Sequence, residues 1–148
     1  MLSFLFSDPL PVGSKAPDWT LKDAEGKSVS LPGLRGKNVV LVFYPMDNTS
    51  TCTAQLCEFR DAWEEAKGKN TVVFGINRQG AKSHTSFQEK NRLPFPLLVD
   101  EDGAVCKAYH THSFPVIKRT VYLIGPDGTI RYARRGKPAV GEVLAAAA

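Results

Sequence analysis

The chain has 148 residues, 43% of them hydrophobic and 23% charged, the make-up of one soluble globular domain that can bury a core without disulfides or a structural metal. Its 12 Gly and ten Pro are ordinary usage and exclude a collagen-like or Pro/Gly-rich disordered chain. The net charge of +4 is local in origin, since residues 1–74 hold 8 Lys/Arg against 9 Asp/Glu and residues 75–148 hold 11 against 6.

The longest apolar runs, Val39–Tyr44 and Val143–Ala148, fall far short of the roughly 20 residues a membrane span needs. Met1–Asp8 lacks the basic and long apolar stretches of a secretory signal, so none is expected. Residues 1–15 carry no periodicity and read as an arm on the surface, with 1–11 as its core, ahead of a single domain within 1–148. Asp18–Leu31 reads as two short strands around Ala24-Glu25-Gly26, a hairpin. Asn38–Tyr44 is an unbroken β-branched and aromatic run, hence a strand buried on both faces, and Pro45 stops it.

After a polar loop, Thr53–Gly68 has helical spacing, with Leu56, Phe59, Trp63 and Ala66 on one face. Thr71–Ile76 is a second buried strand, followed by a polar helix over Ala81–Arg92 and a short strand, Leu97–Val99. Asp102–Tyr109 is a short helix and Arg119–Ile124 a third strong strand. Gly125-Pro126-Asp127-Gly128 is a turn that returns the chain into Thr129–Ala133, and Val140–Ala148 is a weakly amphipathic final helix. Strands alternating with helices predict an α/β fold, a central mixed β-sheet flanked by helices with an N-terminal β-hairpin.

Three cysteines, an odd and sparse number, argue against a secreted disulfide framework and for a reducing compartment. Their spacing is Cys52-x4-Cys57, with Cys106 far downstream and no CxxC. Cys52 opens a helix, where unpaired backbone N–H groups and the helix dipole favour thiolate over thiol. The polar Thr49, Ser50 and Thr51 are placed to cap it. At about 100° per residue, Cys52 lies along the core face, while Cys57 lies about 140° away, with Thr53, Arg60, Asp61 and Glu64, toward solvent. Five residues rise about 7.5 Å along the axis, beyond the usual Cα separation of a disulfide, so the two could bridge only if the helix unwound.

Pro45-x-x-x-Thr49-x-x-Cys52 resembles the active-site motif of peroxiredoxins, and a second cysteine five residues later resembles the PrxQ/bacterioferritin-comigratory-protein subgroup. The likeness runs over roughly residues 10–145, through Ala16-Pro17-Asp18-Trp19, Ser83-His84, Leu93-Pro94-Phe95-Pro96-Leu97-Leu98 and Arg119-Thr120-Val121-Tyr122-Leu123-Ile124. The resemblance implies a thioredoxin-like fold and reduction of hydrogen peroxide and organic hydroperoxides. Cys52 would be the peroxidatic thiol and Cys57 the resolving thiol of an intramolecular disulfide. Thr49 would contact thiolate and peroxide, Pro45 would shield the pocket and Arg119 would complete it. Thioredoxin or a similar dithiol would recycle the enzyme, with no metal or organic cofactor. Departures from the subgroup are Gln55 for the common Glu, Ser50-Thr51 for Pro-Gly, and His110-Thr111-His112 for a Gly-Val-like stretch.

Other readings stay beside this one. A disulfide reductase on the same scaffold is weakened by the missing CxxC. A redox- or metal-dependent binding module could use Cys52, Cys57, His110 and His112, although their spacing is not that of a usual zinc site. Cys106 and the tryptophans Trp19 and Trp63 read as packing residues, His84 as a helix-surface histidine, and Asp47 and Asn48 as turn formers. Six basic residues between Lys118 and Lys137 against the single acid Asp127 could suit nucleic acid, but no binding motif accompanies them and a solvated edge is expected. A cytoplasmic monomer or weak homodimer, without nucleic-acid or membrane partners, completes the expectation.

Overall fold

The computed structural model describes residues 8–148. The expected arm, and the stretch over which no signal was expected, therefore fall mostly outside the described residues; within them, the Leu10 amide donates to the Tyr122 hydroxyl at 2.9 Å, tying this stretch to the body.

The elements in order are β1 (Thr20–Asp23), β2 (Ser28–Ser30), β3 (Asn38–Phe43), α1 (Ser50–Asp61), α2 (Trp63–Gly68), β4 (Thr71–Asn77), α3 (Ala81–Asn91), β5 (Leu97–Val99), α4 (Ala104–Ala108), β6 (Thr120–Ile124), β7 (Ile130–Arg135) and α5 (Val140–Leu144). Among the described residues the strands form one seven-stranded sheet in the order β2-β1-β5-β4-β3-β6-β7. β3, β4 and β5 run parallel, while β1 pairs antiparallel with β2 and β5, and β6 with β3 and β7. The expected α/β layout, mixed sheet and N-terminal hairpin are all present.

Every residue of β3 is buried, as its continuous apolar run requires of a central strand. Successive side chains point to opposite faces. Val40, Val42 and Tyr44 join Leu56, Phe59, Ala66, Phe87 and Val143 in one core, under the helices. Val39, Leu41 and Phe43 join Trp19, Cys106, Tyr109 and Ile117 in the other. Gly75 on β4 leaves room for close packing, because a Cβ there would sit 2.6 Å from Leu97 Cδ2, 3.0 Å from Tyr44 Cε1 and 3.2 Å from Leu56 Cδ1.

Several boundaries differ from expectation, three of them with consequences. The predicted Thr53–Gly68 helix starts earlier, at Ser50, and breaks at Ala62, where φ −98° and ψ 12° leave the helical region. Arg119 precedes β6 rather than opening it. The final helix covers only Val140–Leu144, and the chain beyond it is anchored, since the Ala148 amide donates to Asn38 Oδ1 at 2.9 Å. No helix of the described residues is long and apolar enough to cross a membrane.

Candidate active site

β3 delivers the chain to the loop Pro45–Thr49, and α1 begins directly after it. Thr49 occupies the N-cap position in an extended conformation, yet no side chain caps the helix. Its hydroxyl instead donates back to the Met46 carbonyl at 3.1 Å, while its own carbonyl accepts from the Thr53 hydroxyl at 2.7 Å. The expected capping by Thr49, Ser50 or Thr51 is thus absent; the Thr49 hydroxyl is turned toward its own loop and cannot cap a helix amide from there.

Cys52 stands in the first turn, 1% exposed, within the core formed with Tyr44 and Leu56. Arg119, brought in just ahead of β6, donates from Nη2 to Cys52 Sγ at 3.2 Å. Its Nη1 donates to Gln55 Oε1 at 2.8 Å, and Gln55 Nε2 donates to the Gly136 carbonyl at 3.3 Å. The guanidinium thus sets its positive charge and a hydrogen-bond donor directly against the sulfur. Gln55 is buried, so the amide is a fixed brace between Arg119 and the loop after β7.

Of the five residues singled out from the sequence, Cys52 and Arg119 are in direct contact. Pro45 and Thr49 flank the same loop; Pro45 is half-buried and borders a cavity of about 230 Å³ also lined by Met46, Arg78, Pro115 and Ile117. Cys57 departs from its expected solvent-facing position. It is half-buried, its Sγ 3.9 Å from Asn91 Oδ1 at the C-terminal end of α3. All three cysteines are free. Cys106 is buried in the opposite core, where burial first and Asp100 second push its thiol well above the ordinary range. Among the described residues no group of three or more His, Cys, Asp or Glu side chains could hold a metal ion.

Two residues carry more than the sequence suggested. His84 is fully buried rather than on the helix surface: its Nδ1 lies 2.7 Å from Asp47 Oδ2 and its Nε2 2.8 Å from the Leu98 carbonyl. Asp47 is a buried hub rather than a turn former, accepting from Tyr44, Asn77, Ser83 and His84. Burial works to raise its pKa, but hydrogen bonds from His84 and Tyr44, the His84 charge and the Ser83 hydroxyl outweigh burial and hold the carboxyl below its usual value. The periodicity of α3 contained the signal for His84, since it lies about 60° from Phe87 around the helix. The basic segment lies at a solvated edge, as expected, with charges engaged along it: Arg131 donates to the Ala146 carbonyl, Arg134 pairs with Glu142, Arg135 donates to Thr120 and Lys137 pairs with Glu58.

The AhpC/TSA family model matches residues 12–133. A putative peroxiredoxin bcp of Coxiella burnetii is 42% identical over 129 residues, covering 82% of this chain and 85% of that protein. The chloroplastic peroxiredoxin Q of Triticum aestivum is 45% identical over 123 residues, covering 81% of this chain but 57% of the wheat protein, so the chain spans little more than half of it. Among solved structures, the peroxidoxin BcpB of Mycobacterium tuberculosis superposes with a TM-score of 0.87 at 26% identity, over 93% of this chain and 96% of that one. A cysteine-to-serine mutant of Xylella fastidiosa PrxQ superposes with a TM-score of 0.85 at 30% identity, over 92% and 94% of the two chains.

Proposed function

The chain belongs to the AhpC/TSA family, among its Bcp and peroxiredoxin Q members, and we propose that it reduces hydroperoxides with Cys52 as the peroxidatic thiol and Cys57 as the resolving thiol. It has the family's thioredoxin-like fold and thiol-dependent peroxidase activity. The observation that carries the assignment of Cys52 is the 3.2 Å contact from Arg119 Nη2 to its sulfur at the start of α1.

The Cys52 thiolate attacks the nearer oxygen of the hydroperoxide in line with the O–O bond. That bond breaks, and the electron pair leaves on the far oxygen, which takes up a proton and departs as water or alcohol. Arg119 stabilises the charge that moves from sulfur to the leaving oxygen. Cys52 is left as a sulfenic acid. The Cys57 thiolate then attacks the sulfenic sulfur, hydroxide leaves and is protonated to water, and a disulfide forms. Five helical residues rise about 7.5 Å, so this step requires the first turns of α1 to unwind. A dithiol of the thioredoxin type reduces the disulfide by exchange, through a mixed disulfide. This cycle needs a reducing compartment, and the cytoplasm is the one we assign.

Stopped-flow oxidation with hydrogen peroxide tests the assignment. Cys52→Ser is expected to abolish peroxide consumption. Cys57→Ser should keep the first oxidation and lose both the intramolecular disulfide and thioredoxin-linked turnover. Normal turnover by the Cys52 variant would overturn the mechanism.

A further inference from the structure

The chemistry above leaves one buried charged cluster without a task. Asp47 lies midway in the Pro45–Thr49 loop, and the side chains of Asp47 and His84 are 1% and 0% exposed. Both carboxylate oxygens are doubly engaged: Oδ1 accepts from the Tyr44 hydroxyl at 2.5 Å and Asn77 Nδ2 at 3.2 Å, and Oδ2 from the Ser83 hydroxyl and His84 Nδ1, each at 2.7 Å. The Asp47 amide donates to Gln79 Oε1 at 2.5 Å, and the Gln79 amide to Asn77 Oδ1 at 2.8 Å. A carboxylate offers about four lone-pair sites, so this one is saturated.

His84 faces acceptors with both ring nitrogens, the Asp47 carboxylate and the Leu98 carbonyl. Both ring nitrogens are therefore committed inside the core, one to a carboxylate and one to a backbone carbonyl. Removing such a pair from water is costly, and apolar side chains of similar volume often stabilise a core as well or better. Stability alone therefore does not account for the pair. Its distinctive property is direction, because each bond fixes an angle as well as a distance. It ties one short loop to the end of β4 through Asn77, to α3 through Ser83 and His84, and to β5 through Leu98. Thr49 is held to the same loop through its bond to the Met46 carbonyl, and Asn48 makes the intervening turn with φ 64°.

We propose that Asp47 and His84 are positioning residues for peroxide reduction: their buried hydrogen-bonded pair fixes the Pro45–Thr49 loop so that Thr49 and the start of α1 present the peroxide in line with the Cys52 sulfur. The proposal rests on the reading of Cys52 as the peroxidatic thiol. Peroxide reduction needs the oxidant aligned against sulfur by the loop, whereas alkylation by iodoacetamide needs only an accessible thiolate. A positioning role separates the two rates. A purely structural role moves them together.

The test compares wild type, Asp47→Asn and Ser83→Ala by stopped-flow oxidation with hydrogen peroxide and by iodoacetamide labelling of Cys52, followed by peptide mass mapping. Asp47→Asn is expected to lower the peroxide rate constant by about 10- to 100-fold, the scale of a reacting group displaced by about 1 Å, with alkylation near wild type. Ser83→Ala removes one of four bonds to the carboxylate, and is expected to show the same separation at about threefold. If Asp47→Asn does not fold, Ser83→Ala decides alone. Peroxide and alkylation rates falling in parallel, or peroxide rates unchanged in the folded variants, overturn the proposal. A wild-type protein that consumes no peroxide overturns instead the underlying assignment of Cys52, before any variant is compared.

Discussion

Gln55 shows how much one side chain sets at this site. Its buried amide accepts from Arg119 while donating to the Gly136 carbonyl. A carboxylate in its place would neutralise the guanidinium 2.8 Å away and would have no proton to offer Gly136. The neutral amide leaves the whole Arg119 charge to Cys52 and braces it on both sides. Gln55→Glu is therefore expected to slow both iodoacetamide labelling of Cys52 and its oxidation at neutral pH by about three- to tenfold, the effect of a compensating charge near a partly buried pair. Labelling rates measured from pH 5 to 9 check this; identical profiles for the two proteins would reduce Gln55 to a packing residue.

At the scale of elements, α1 is the piece that must move and its bonds say what resists. Glu58 pairs with Lys137 in the loop after β7, Gln55 holds Gly136, and Arg60 Nη1 donates to the Asn91 carbonyl at 2.8 Å. The break at Ala62 separates this helix from α2, whose Trp63 packs on Phe95 with ring centroids 6.0 Å apart. Unwinding can thus stop at Ala62 without disturbing that packing. Both partners of the Glu58–Lys137 pair are partly exposed, so Lys137→Ala should speed formation of the Cys52–Cys57 disulfide by about two- to fivefold, the worth of a surface ion pair. Rapid-quench separation of the sulfenic and disulfide forms measures it, and an unchanged rate would remove Lys137 from the clamp. Sequence patterning found the described strands to within two residues, the central β3, β4 and β6 through their continuous buried runs, but missed this break. The apolar stripe of Leu56, Phe59, Trp63 and Ala66 passes through Ala62 in register, so nothing in the spacing marks it. Cys52 and Arg119 were legible through the motif they share with relatives. Asp47 and His84 were not, since 37 positions separate them and only the folded loop, α3 and β5 bring them together.

For the molecule as a whole, the buried pair makes stability depend on acid. The Asp47 carboxyl titrates below its usual value in the folded chain, so the unfolded chain binds its proton first as pH falls. Its contribution is complete above the unfolded value of about 4, and is lost as pH drops through the lower, folded one. Thermal unfolding followed from pH 7 down to about pH 2.5 should therefore show a wild-type advantage over Asp47→Asn that is constant near neutrality and shrinks below about pH 4. An advantage independent of pH would mean the carboxylate charge is not what stabilises the fold.

The strand order carries a further consequence, one of time. β1 meets the rest of the sheet only through β5, by the pairs Lys22↔Val99 and Asp23↔Leu98, while its other partner, β2, forms the outer edge. A two-stranded ribbon alone in water is at best marginally stable. During synthesis the hairpin therefore waits as a loose ribbon while β3, α1, α2, β4 and α3 are made, and gains a place only when Leu97–Val99 arrives. This edge of the sheet is thus made well before the strand that gives it a place.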